Sequence, residues 1–99
     1  MIALLDITDR THARVLSAVD LSPGSAPHDI LLTHDNPRVV VTDYFLNEDD
    51  FGKIHFDGDH KVHVLKLDGD QLSLDPRFQL DFNTAFPGLR ARPHGLDAK

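Results

Sequence analysis

Seven histidines stand in a chain of 99 residues that contains no cysteine, so any metal or acid–base chemistry falls to imidazole and carboxylate rather than to thiolate. Two of the histidines recur in one local setting. Pro27-His28 opens an apolar run, and Pro93-His94 appears 66 positions later within Arg92-Pro93-His94-Gly95-Leu96. Imidazole suits copper and zinc, and two histidines at matching places in a repeat can be brought to one centre. His28 and His94 are therefore the leading metal-ligand candidates. The alternative is that each Pro-His pair ends a loop and its imidazole ties down backbone groups where a strand begins. His55, His60 and His63, around Asp57-Gly58-Asp59, form a weaker set: a surface metal site, a pH-sensitive loop, or simply solvated loop histidines. Asp57 and Asp59 begin like a calcium loop, but the later ligands and closing glutamate are missing. Asp43, Glu48, Asp49 and Asp50 read as paired carboxylates or, more simply, as a hydrated acidic loop. No Ser or Thr has the setting of a nucleophile, and no glycine-rich phosphate loop is present.

The elements that must position these side chains are strands. Pro27 to Thr33 and Arg38 to Asp43 are apolar runs of strand length with β-branched residues in both, separated by turn chemistry at Asp35-Asn36-Pro37, and they predict one antiparallel pair. Ile2 to Ile7 is a short strand, broken by Thr8-Asp9-Arg10. Ala13 to Leu21 fits a strand better than a short helix. Ser22 to Pro27 is a loop by composition. Residues 46–59 are acidic and glycine-punctuated, a long excursion between strands. Val62 to Leu67 is the next strand, Asp68-Gly69-Asp70 a hairpin turn, and Leu72-Ser73-Leu74 begins a partner run that continues through Asp75-Pro76-Arg77 into Phe78 to Phe82.

A repeat runs through these elements. Val62 to Leu67 repeats the pattern of Ile2 to Ile7 at an offset of 60, Leu80-Asp81-Phe82 echoes Val19-Asp20-Leu21 at 61, and the Pro-His pairs recur at 66. Three correspondences in one order point to a duplicated unit with small insertions. The unit is a four-stranded antiparallel module, and apolar residues on both faces of its strands call for cover on both sides. Blades of a β-propeller meet that requirement. The expected architecture is all-β: residues 1–26 end one blade, 27–83 make a complete four-stranded blade, and 84–99 start the next. A blade and a half cannot close a ring alone.

Bulk properties narrow the functional classes. Apolar residues make up 40% of the chain and the net charge is −6, enough for one small core. No basic run is long enough to neutralise a row of phosphates, so nucleic acid is not an expected partner. The segment Met1-Ile2-Ala3-Leu4-Leu5-Asp6 lacks a basic region and reaches an acidic residue too early for a signal peptide or a membrane span. A cytoplasmic protein with no membrane partner is the expectation.

Taken together, Pro27-His28-Asp29-Ile30, Val41-Thr42-Asp43-Tyr44-Phe45-Leu46-Asn47-Glu48-Asp49, Gly58-Asp59-His60-Lys61-Val62-His63-Val64, Leu72 to Phe78 with Asp81-Phe82, and Ala91-Arg92-Pro93-His94-Gly95 resemble the C-terminal region of the selenium-binding protein family, whose members include methanethiol oxidases. The resemblance implies a fragment of a seven- or eight-bladed propeller. For the oxidase members it also implies copper-dependent oxidation of methanethiol to formaldehyde, hydrogen sulfide and hydrogen peroxide, with copper held by histidines such as His28 and His94 facing the central channel. Family members are several times longer, the family's selenium- or thiol-associated cysteine lies in regions absent from this chain, and His94-Gly95 stands where some members have His-Glu. Partners are then missing blades or further copies of the chain, with a small thiol as substrate. The alternatives are a homo-oligomeric metal oxidase built from several copies, and a small non-catalytic β protein that associates through exposed strand edges.

Overall fold

A computed structural model of the chain describes residues 1–34, 36–55, 58–89 and 91–96. Strands β1 (Ile2–Asp6) and β2 (Arg14–Val19) form an antiparallel hairpin. Strands β3 (Pro27–Leu32) and β4 (Arg38–Asp43) are the pair expected from the two apolar runs; Asp35, in the turn between them, lies outside the described residues. Within the 46–59 excursion, β5 (Asn47–Glu48) and β6 (Ile54–His55) make a miniature hairpin. Strand β7 (Lys61–Asp68) returns beside β4, and β8 (Gln71–Leu74) pairs with its other edge. The sheet order is therefore β3-β4-β7-β8, a four-stranded antiparallel meander, and no sheet among the described residues closes into a barrel. No helix of the described residues is long and apolar enough to cross a membrane.

The run expected from Leu72 to Phe82 is interrupted. After β8, Asp75 turns the chain: its Oδ1 accepts from the backbone N–H of Arg77 at 3.0 Å, and its own N–H donates to the Val64 carbonyl at 2.8 Å. The strand then resumes for two residues as β9 (Leu80–Asp81) on the same edge of β7. Asp81 next caps a single helical turn, α1 (Phe82–Ala85), its side chain accepting from the Asn83 N–H. A short polar residue at the N-cap is what that turn needs.

Strand register carries the internal repeat into three dimensions. Ile2 pairs with Val19 in the first hairpin, and their counterparts at offsets of 60 and 61, Val62 and Leu80, pair with each other in the second. Each counterpart pair sits at the same end of its unit.

Alternation along the strands assigns the faces. One face carries Val39, Val41, Leu65 and Leu72, which with Ile2 of the hairpin form the buried core, while Val19, Leu21 and Leu67 pack against it. Ser17 docks the hairpin: its hydroxyl donates to the Leu72 carbonyl at 3.3 Å and accepts from the Leu72 N–H at 3.1 Å. The opposite face receives the C-terminal segment near one end. There the Leu96 N–H donates to Asp29 Oδ2 at 2.8 Å, and Thr42 Oγ1 donates to the His94 carbonyl at 3.2 Å. The sheet is thus covered from both sides over part of its area.

Because Ser17 satisfies two backbone groups of a buried residue, Ser17→Ala should cost about 1–3 kcal/mol. Urea denaturation should show a lower midpoint with an unchanged slope; an unchanged midpoint would mean that the hairpin is not held to the sheet through this side chain.

Candidate functional site

The last turn of β4 addresses both faces of the sheet. Val41, Thr42 and Asp43 are buried in succession, so the strand points an apolar side chain and then a carboxylate one way, and a hydroxyl the other. Tyr44 follows, with its N–H donating to the Ala26 carbonyl at 3.0 Å. Two constellations form here.

The first unites the leading candidates. The rings of His28 and His94 lie 4.7 Å apart, centroid to centroid, tilted by 56°. Tyr44 stacks on His94 at 4.2 Å and 21°, and meets His28 edge-on at 5.4 Å. The β3–β4 register shifts between Pro27 and Asp29, so His28 occupies an irregular position where a strand can re-aim a side chain. His94 is held through its backbone by Thr42. Both imidazoles are exposed, which leaves them open to further ligands.

The second lies on the hairpin-covered face and joins residues that the sequence keeps apart. His63, on β7 directly opposite Val41, is 7% exposed and Asp43 only 1%. Their His63 Nε2 and Asp43 Oδ2 atoms are 2.7 Å apart. Ser25 Oγ donates to Asp43 Oδ1 at 2.8 Å, and Ser22 Oγ donates to Asp59 Oδ2. Asp59 Oδ2 lies 3.8 Å from His63 Nε2. The turn that delivers Asp59 uses left-handed backbone on both sides, with φ of 101° at Gly58 and 51° at His60. A Cβ at Gly58 would come within 3.3 Å of the Gly24 carbonyl, so only glycine lets this turn approach the 22–26 loop.

Electrostatics in this cluster are asymmetric. Burial, and then the adjoining Asp59 carboxyl, pushes the Asp43 carboxyl up, against the opposing hydrogen bonds from Ser25 and His63. At Asp59 burial also acts upward but is outweighed by hydrogen bonds from Asp43 and Ser22 and by the charges of His63 and Lys61, so this carboxyl is held below its ordinary value. Asp43, Asp59 and His63 present ligand atoms all within 4.8 Å of one another, a set that could hold a metal ion.

The weaker histidine set does not assemble around the 57–59 turn. His55 Nε2 contacts Asp49 Oδ2 at 2.8 Å within the β5–β6 hairpin, where Asp49 also accepts from the N–H groups of Phe51 and Lys53. His60 Nδ1 lies 3.4 Å from Asn83 Oδ1. His63 alone of the three enters a ligand cluster among the described residues, and it is a buried strand residue rather than a solvated loop histidine. Asp57 lies outside the described residues. Asp43 separates from Glu48, Asp49 and Asp50: it is interior, whereas Asp49 organises the small hairpin and Glu48 and Asp50 are exposed. The missed signal was periodic, since Val39 and Val41 point inward and period two carries Asp43 inward after them.

No family model, curated protein or solved structure matches the chain.

Asp43→Ala removes the acceptor of both Ser25 and His63 in a dry site and should destabilise the chain by at least ~2 kcal/mol. Asp50→Ala, at an exposed position, should leave thermal unfolding nearly unchanged. Equal effects of the two substitutions would show that the buried network contributes nothing.

Proposed function

We propose that this chain belongs to a β-propeller of the selenium-binding type, with residues 27–83 as one complete blade between portions of two others, and that His28 and His94 are its contribution to a copper centre. The observation that carries this reading is the convergence of His28 and His94, which hold equivalent places in the repeat and lie 66 residues apart, on one aromatic cluster with Tyr44. The four-stranded meander, the matched pairs Ile2–Val19 and Val62–Leu80, and cover arriving on both faces of the sheet support it further.

The donors suit the group. Imidazole nitrogens bind copper at about 2.0 Å, and rings with centroids 4.7 Å apart can turn one nitrogen each toward a common ion. Two imidazoles leave coordination positions for histidines of other blades or copies. Copper bound there would supply electron-transfer chemistry for oxidising a small thiol such as methanethiol, with dioxygen as the two-electron acceptor reduced to hydrogen peroxide and water supplying the formaldehyde oxygen. The protein side of the arrangement is positional. Tyr44, flat against His94, restricts rotation of that imidazole, and the Thr42 hydroxyl fixes the backbone that carries it.

The reading is tested by copper uptake. The chain, freed of metal and titrated with Cu(II), should give an electron paramagnetic resonance spectrum with coupling to at least two nitrogens, and the double variant His28→Ala/His94→Ala should lose that two-nitrogen pattern. Sedimentation should show self-association, because a blade with partial neighbours retains open edges. Copper bound with the same spectrum in the double variant would overturn the assignment.

A further inference from the structure

We propose that Asp43, Asp59 and His63 form a second metal site, distinct from His28 and His94, that takes a divalent ion such as zinc or the harder manganese and clamps three segments of the chain together. The distances suit one ion. Ligands on a tetrahedral ion with bonds of about 2.0–2.1 Å stand roughly 3.3 Å from one another, and the separations of His63 Nε2 from Asp43 Oδ2 and Asp59 Oδ2, at 2.7 and 3.8 Å, fall on either side of that value.

An independent observation points to a missing cation. The Asp59 side chain is only 10% exposed, and its Oδ1 is sealed from solvent with no hydrogen-bond donor among the described residues. Two carboxylates meeting in an interior call for positive charge between them. Lys61 lies near enough to act on Asp59 through its charge, yet it makes no ion pair with either carboxylate among the described residues. A cavity of about 250 Å³, with Ser22, Lys61 and His63 in its wall, opens beside the cluster and gives an ion a way in.

The donor set selects the ion. Two carboxylates and one imidazole are harder than a histidine cage, and they favour zinc or manganese over cuprous copper. To hold the ion, His63 would present Nε2 as a lone pair. Ser22 and Ser25 become the groups that orient the two carboxylates. The ion would then tie the end of β4 to the turn at Gly58–His60 and to β7 and, through the serines, to the loop joining the first hairpin to the sheet.

The test is Zn(II) titration of the metal-free chain, followed by competition with a chromophoric chelator and by thermal melting, with Co(II) as a spectroscopic probe. The chain should bind one tight equivalent, melt higher with Zn(II), and give the intense visible bands of low-coordinate Co(II). Asp59→Asn should weaken binding at least about tenfold and abolish the rise in melting temperature, whereas His28→Ala/His94→Ala should keep both. Equal affinity in Asp59→Asn would assign the zinc to surface histidines and overturn the proposal. So would a wild-type chain that takes up no zinc while metal-free Asp59→Asn melts higher, since the carboxyl pair then needs only a proton. Because the copper experiment depends on His28 and His94 and this one on Asp59, failure of either leaves the other standing.

Discussion

The pairing of β4 with β7 is the contact on which the rest of the structure depends. It is the central ladder of the meander, with Val39 opposite Leu65 and Val41 opposite His63. Val41 and Leu65 are wholly inaccessible, and with Val39 they supply most of the sheet's share of the core. Every polar feature of interest is placed relative to this ladder. Asp43 lies two residues beyond Val41 on the same face, and His63 two before Leu65, so the register that packs the apolar pair also brings imidazole and carboxylate together. A slip of β4 by one residue would turn Asp43 away from His63 and carry Val39 and Val41 out of the core.

The same ladder divides the chemistry between faces. Thr42 and Tyr44 address the side on which the C-terminal segment lies and hold His94 there; Asp43 addresses the side covered by the first hairpin. Adjacent residues thus serve an exposed aromatic–imidazole cluster and a dry carboxylate–imidazole cluster, separated by the thickness of one sheet. The environments differ as the donors require. Exposed imidazoles remain open to outside ligands, whereas carboxylates removed from water need compensation nearby.

Much of this was legible in the residue pattern. The β-branched runs either side of Asn36-Pro37 gave the β3–β4 pair, and the 60- and 61-residue offsets anticipated that Val62 and Leu80 stand to each other as Ile2 and Val19 do. The pairing of His28 with His94 followed from the same periodicity. Other features depended on long-range geometry. The break at Asp75 arises from a side chain folding back on the backbone of Arg77, which a hydrophobic pattern does not register. The carboxylate cluster was hidden because Asp43 sits in an acidic stretch and Asp59 in a glycine turn, both of which look hydrated when taken locally. Only the inward phase of Val39 and Val41, combined with the register to His63, places Asp43 inside.

The distribution of exposed apolar surface bears on what the sheet is built to meet. The first hairpin lies over the β8 side, where Ser17 joins Leu72, and its strands correspond in the repeat to β7 and to β8 with β9. Among the described residues this hairpin is a two-stranded sheet of its own. Ile30 and Leu32 on β3 accordingly remain half exposed, and they line an apolar groove with Ile2, Ala3, Leu4 and Val39. The two-stranded hairpin covers only the β7–β8 half of the four-stranded sheet, and the β3–β4 half keeps its apolar side chains within reach of solvent.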